Sequence, residues 1–203
     1  MKKEFNEIII FGAGGIGFDI YDFIKDKIKV LAFVDNDISK QGQKHCGVPI
    51  ISIDDNKANC LIIIASNIYC NEIAKQLEEQ GMKYGENYLH YIEFISLFMW
   101  TKSKQLWLNK TDLMITFRCT LKCLNCGLFI PYYKNKIDRG FDEIKTDIEA
   151  YCNIIDGVRE FSILGGEPFL NKEFCKILDF IGRKYRDRIH NLQIITNGTI
   201  VPN

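Results

Sequence analysis

Glu7-Ile8-Ile9-Ile10-Phe11-Gly12-Ala13-Gly14-Gly15-Ile16-Gly17 is an apolar, β-branched run that breaks into a glycine loop. The run reads as a buried strand. Beyond the loop Ile16, Ile20, Phe23, Ile24 and Ile28 recur at helical spacing, which predicts a helix to about Lys29. Val30-Leu31-Ala32-Phe33-Val34 reads as a second strand, stopped by Asp35-Asn36-Asp37. A polar loop with Gly42 and Gly47 leads to Val48-Pro49-Ile50-Ile51. Leu61-Ile62-Ile63-Ile64-Ala65 is apolar throughout, as strands of a parallel sheet covered on both faces are. Ile73 and Leu77 mark a helix that stops at Gly81. Strand, helix, strand, then a further strand and helix make a βαβ-based open sheet over about the first 90 residues.

Gly12-x-Gly14-x-x-Gly17 has the spacing of a dinucleotide-type fingerprint, and it stands after a strand and before a helix. Glycines there let backbone N–H groups meet a phosphate at a helix N-terminus, where the partial positive charge favours an anion. Asp35 ends the second strand, 18 residues past Gly17, where a carboxylate can accept hydrogen bonds from ribose hydroxyls. The competing reading is a tight strand–helix turn in a domain without a ligand. The second half of a full dinucleotide fold is missing, so a mononucleotide or nucleotide-sugar suits the domain better than NAD. Phe11 through Gly17, Phe33-Val34-Asp35-Asn36-Asp37, Gly47-Val48-Pro49-Ile50 and Ile62-Ile63-Ile64-Ala65 resemble the small N-terminal nucleotide-sugar-binding domain of bacterial sugar acyltransferases. The acetyl-transferring β-helix of those enzymes does not follow here. The resemblance therefore implies only a binding role, for Gly12, Gly14, Gly17 and Asp35.

Tyr91 to Leu108 is apolar, without Gly or Pro, and predicts a helix connecting two domains; its Leu97-Phe98-Met99-Trp100 cluster reads as packing. A second pattern starts with the strand Leu113-Met114-Ile115-Thr116-Phe117. Ile144 to Ile155 predicts a helix. Glu160-Phe161-Ser162-Ile163-Leu164 predicts a strand ended by Gly165-Gly166-Glu167-Pro168. Phe174 to Tyr185 predicts a helix, and Leu192 to Ile195 a strand ended by Thr196-Asn197-Gly198. Each strand thus runs into an unusual loop at its carboxyl end, where α/β sheets and barrels bind ligands.

Cys119-x-x-x-Cys123-x-x-Cys126 follows the first of these strands. Three soft thiolates on one short loop can hold zinc or an iron–sulfur cluster. Structural zinc wants four closed ligands. No second cysteine pair of matching spacing exists, and His45, His90 and His190 do not supply one. Cys46, Cys60, Cys70, Cys152 and Cys175 are scattered, as packing cysteines are. Three ligands leave one metal position open.

The spacing resembles the signature of the radical S-adenosylmethionine (SAM) superfamily. Gly165-Gly166-Glu167-Pro168 looks like the glycine-rich motif of that family, and Thr196-Asn197-Gly198 like the turn common after its third strand. The resemblance covers roughly residues 110–203. It implies a [4Fe–4S] cluster on Cys119, Cys123 and Cys126, and SAM held by the 165–168 motif, the Asn125 backbone, Thr196 and Asn197. It also implies a small-molecule substrate and a low-potential electron donor such as flavodoxin or ferredoxin. Two features depart from the family. Asn125 stands where an aromatic residue usually precedes the third cysteine, and the chain ends after the third of six barrel strands. The segment Gly127-Leu128-Phe129-Ile130-Pro131-Tyr132-Tyr133 either walls the site or packs the loop.

The expected fold is α/β: a Rossmann-like parallel sheet at residues 1–90, a connecting helix at 91–109, and at 110–203 the first three βα units of a partial (β/α)6 barrel, truncated. The sequence reads as the front part of a longer protein. The chain of 203 residues balances 26 Lys+Arg against 26 Asp+Glu, so charge gives no argument for a nucleic-acid or membrane partner. At 47% hydrophobic it is ordinary globular material. A polar start and no long apolar run point to the cytoplasm, where eight cysteines argue for metal binding or catalysis over disulfides. The function expected is that of a radical SAM enzyme in nucleotide-sugar or glycan metabolism, with a peptide or other small-molecule substrate left open. Two alternatives stand beside it: a nucleotide-binding, metal-holding module with a degenerate half barrel, and a zinc-binding interaction protein.

Overall fold

A computed structural model describes residues 6–55 and 60–200. The chain divides into two compact units, residues 1–97 and 98–203.

In the first unit, β1 (Glu7–Phe11) leads through the glycine loop into α1 (Gly15–Ile24) and β2 (Lys29–Val34). A short hairpin follows, β3 (Lys44–His45) and β4 (Val48–Ile51), then β5 (Leu61–Ile64), α2 (Cys70–Glu79) and β6 (Tyr88–His90). The sheet order is β3-β4-β2-β1-β5-β6, parallel except for the β3–β4 pair. Every residue of β5, and Ile8 to Phe11 of β1, is buried. Ile9, Phe11, Ile62 and Ile64 pack with Ile73 and Leu77 of α2. The alternate residue Ile10 faces α1, where it lies against Gly17. The helix predicted to run to Lys29 ends at Ile24, because Lys29 is taken into β2 opposite Glu7. Strand β6 was not foreseen; its three residues carry only Leu89 and two aromatics, too short a run to show a period.

α3 (Tyr91–Ser103) spans the division between the units. It is shorter than the predicted 91–108 helix, and the connecting helix of 91–109 needs correction. Lys104 takes a positive φ of 57° and stops it. Trp107, Leu108 and Asn109 belong instead to β7 (Trp107–Met114). They are claimed by pairing: Trp107 lies opposite Gly157 and Leu108 opposite Val158. The Trp107 ring sits where a side chain on residue 157 would be, 2.5 Å from an ideal Cβ, so only glycine fits.

The second unit continues with α4 (Phe141–Ile154), β8 (Gly157–Leu164), α5 (Phe174–Lys184) and β9 (Ile189–Ile194). β7, β8 and β9 form a three-stranded parallel sheet in that order. Among the described residues this is three strands and two crossover helices, so the third βα unit has no helix here. Leu113, Ile115, Phe161 and Ile163 pack with Ile144 and Ile148 of α4 and Ile177 and Ile181 of α5. The other face of the sheet is polar. Lys110, Glu160 and Asn191 are lateral partners in one row, and Asp112, Ser162 and Gln193 in the next. Lys110 reaches Glu160 at 3.0 Å and Asp112 at 3.6 Å, and Gln193 Nε2 donates to Ser162 Oγ at 2.9 Å. Burial opposes the Lys110 charge, but these two carboxylates outweigh it and raise its pKa.

Candidate functional site

The cysteine loop leaves the sheet at the carboxyl end of β7 and returns beside its starting point. Phe117 N donates to Ile137 O at 2.9 Å and Arg139 N to Ile115 O at 3.0 Å. Asp138 closes this neck, accepting from Thr116 Oγ1 at 2.6 Å and from the Arg118 guanidinium at 2.8 Å. Asn171, only 3% exposed, donates to both strands of the neck, to Ile115 O at 2.8 Å and Arg139 O at 3.0 Å. None of Thr116, Arg118, Asp138 and Asn171 was singled out from sequence; isolated polar residues carry no spacing signal.

Within the excursion, Cys119 and Cys126 are half-buried and Cys123 is exposed, and all three thiols are free. No three metal-ligating side chains are drawn to a common centre among the described residues. Cys119 Sγ already receives two N–H groups, from Leu121 N at 3.4 Å and Asn197 Nδ2 at 3.5 Å. Asn125 is exposed. In the aromatic segment Ile130 is buried and Tyr133 lies against Phe117, ring centroids 4.7 Å apart and tilted by 48°, while Phe129 and Tyr132 remain 66% and 70% exposed. The segment thus packs through some residues and presents others.

Gly165 and Gly166 press on the start of this loop. An ideal Cβ on Gly165 would lie 2.5 Å from Thr116 O, and one on Gly166 2.1 Å from Arg118 O. Their contact is part of a pairing that runs past the end of β7: Gly166 N donates to Thr116 O at 3.0 Å and Glu167 N to Arg118 O at 2.7 Å. The Glu167 side chain is wholly buried. It accepts from Thr196 Oγ1 at 2.8 and 2.9 Å, from Asn197 N at 2.9 Å and from Phe169 N at 3.2 Å. Pro168 opens a short 3-10 turn, Pro168–Leu170. The structure therefore brings Cys119, the 165–168 segment, Thr196 and Asn197 together at one end of the sheet. It commits the Glu167 carboxylate to the protein itself, leaving backbone as what this stretch offers a ligand.

In the first unit the carboxyl ends of β1, β2 and β5 border a cleft of about 500 Å³, lined by Gly12, Gly14, Asp35, Lys40, Ser66 and Tyr69, among others. The chain goes from β1 to β2 on one side and later to β5 on the other, so the cleft lies at the switch point where open α/β sheets bind ligands. Asp35 is engaged: Oδ2 accepts from Ala13 N at 2.8 Å and pairs with Lys40 at 3.0 Å, and Oδ1 accepts from Asp37 N at 2.9 Å. The carboxylate ties the glycine loop to the end of β2. Gly12 and Gly17 are required by the fold. Gly12 has φ 121°, and an ideal Cβ on Gly17 would lie 1.9 Å from Gly12 O. Gly14 and Gly15 have nothing within 4 Å of such an atom.

Residues 113–202 match the model of the radical SAM superfamily. Residues 4–87 match a different model, described as C2185-like, N-terminal; the acyltransferase likeness of this region is not confirmed. A probable GTP 3′,8-cyclase from Methanocaldococcus jannaschii is 32% identical over 89 residues, 44% of this chain and 28% of that protein. The GTP 3′,8-cyclase of Campylobacter jejuni subsp. doylei is 32% identical over 96 residues, 46% of this chain and 29% of that protein. The chain thus spans under a third of the length of these curated relatives. These matches support a radical SAM reading of the second unit. UDP-D-quinovosamine 4-dehydrogenase from Vibrio fischeri aligns with a TM-score of 0.34 at 18% identity, covering 43% of this chain and 78% of that one, a likeness too slight to argue from. No helix among the described residues is long and apolar enough to cross a membrane.

Proposed function

We propose that the second unit is the cluster- and SAM-binding front part of a radical SAM enzyme, its sheet the first half of a barrel. The observation that carries this reading is the junction of Cys119, first of three free thiols on one loop, with the Gly165-Gly166-Glu167-Pro168 stretch and Thr196-Asn197 at one sheet end. The donor set fits a [4Fe–4S] cluster on Cys119, Cys123 and Cys126, with one iron left for SAM. When bound, the cluster supplies the electron that splits SAM into methionine and a 5′-deoxyadenosyl radical. The chain's own part is positioning. Asp138 and Asn171 fix the neck of the loop, Gly165 and Gly166 bring backbone against its start, and Glu167 joins it to the end of β9. The backbone of residues 165–168 is where the SAM amino group would be held. A small-molecule substrate, a low-potential donor such as flavodoxin or ferredoxin, and a cytoplasmic setting complete the reading.

For the first unit we infer a nucleotide or nucleotide-sugar ligand. Its support is the switch-point cleft together with Gly14 and Gly15, two glycines that the protein's own packing does not require.

Anaerobic loading with iron and sulfide tests the first reading. The chain should take up about four irons, and Cys119→Ala, Cys123→Ala or Cys126→Ala should each strip most of them. Cys46→Ala and Cys152→Ala should not. Equal loss across all five variants would sink the assignment.

A further inference from the structure

We propose that Asn197 is a positioning residue for the cluster, its side-chain amide donating to the sulfur of Cys119 and raising the cluster's reduction potential, with Glu167 holding that amide in place. The inference rests on the cluster reading above. Asn197 Nδ2 lies 3.5 Å from Cys119 Sγ and 3.1 Å from Thr120 Oγ1. The orientation of the amide follows from its other end. Oδ1 accepts from Thr199 N at 2.9 Å and Thr199 Oγ1 at 2.7 Å, and the backbone N–H, which can only donate, would meet an NH2 group unfavourably. The N–H side must therefore face the sulfur.

Both ends of this N–H···S contact depend on one residue. The backbone of Glu167 binds Arg118 O, next to Cys119, and its buried carboxylate binds Asn197 N and the Thr196 hydroxyl. A buried carboxylate held by three donors, the Thr196 hydroxyl and the backbone N–H groups of Asn197 and Phe169, is a rigid anchor. An N–H aimed at a ligating sulfur stabilises negative charge there. The reduced cluster carries one more electron than the oxidised one, so the contact favours reduction. Removing the donor should make the potential more negative.

The test uses the full chain, loaded anaerobically, with the potential followed through the spectrum of the reduced cluster as a one-electron reductant is added. Asn197→Ala should keep its iron and shift the midpoint to more negative potential. Asn197→Asp, the same shape without the N–H and with added charge, should shift it at least as far. Glu167→Gln should shift it in the same direction, because an amide has one oxygen where the carboxylate has two and so sets an NH2 group against the backbone N–H of either Asn197 or Phe169, loosening the anchor. Thr120→Ala removes the neighbouring contact of the amide and the Thr120–Thr199 hydroxyl pair but leaves Asn197 Nδ2 on the sulfur, and should leave the potential where it was. A parent chain that takes up no iron would overturn the cluster reading itself. A parent that loads normally, with Asn197→Ala and Asn197→Asp at the parental potential, would overturn this inference alone.

Discussion

After β1 the glycines are of two kinds, and after β8 they are of one. Gly12 and Gly17 have no room for a side chain, whereas Gly14 and Gly15 border open space. Gly14 has φ −130° and ψ −169°, extended backbone open to any residue. Gly165 and Gly166 both lie within 2.5 Å of a backbone carbonyl, measured from an ideal Cβ. After β8 both glycines bring one stretch of chain against another. In the loop after β1 two of the four glycines do that and two border open space. A glycine motif therefore holds two separable jobs, and only the atoms around each position tell them apart.

The sharpest break of this comparison is a methyl group where none fits. Gly17→Ala and Gly166→Ala should each destabilise their own unit by about 3 kcal/mol or more, because backbone must move. Thermal unfolding of the two variants should show opposite units melting early; if either variant melts like the parent, the close approach is not obligatory. Asp35→Asn comes next. It loses the Lys40 pair and weakens the bond from Ala13 N, an expected cost of about 1 kcal/mol in a partly exposed site. Denaturant titration of the first unit's transition reads this directly. The smallest change in stability belongs to Gly14→Val, within about 0.5 kcal/mol of the parent. That variant should nonetheless lose any thermal shift given to the full chain by a panel of nucleotides and nucleotide-sugars. A parent that responds to none of them would make the first unit structural.

The strand and helix periods were legible where apolar residues recur, as in β1, β5 and α5. They failed where an element is recruited by its neighbour. Trp107 and Leu108 continue an apolar helical pattern, and it is pairing with β8, where the Trp107 ring fits over Gly157 50 positions later, that makes them a strand. The site was legible as residue types at three strand ends. Its wiring was not. Asp35 could be read as a ribose acceptor from its position, but nothing local to the sequence says that Ala13 and Lys40 occupy it. The same holds for Glu167, whose partners lie in a turn about 30 residues away. Motif spacing locates chemistry along the chain; which side chains satisfy one another depends on contacts that no short window contains.

The two polar rows across β7, β8 and β9 bear on how this sheet meets water. Parallel sheets ordinarily have two dry faces and need a covering layer on each. Here one layer, α4 and α5, covers the main apolar cluster, while Lys110 and Asp112 on the other face remain open to water. Whatever later closes over that face must bring dipoles or charges of its own. Stripping water from Lys110 and Glu160 without replacing it would cost several kcal/mol, so the face admits polar company and turns oil away.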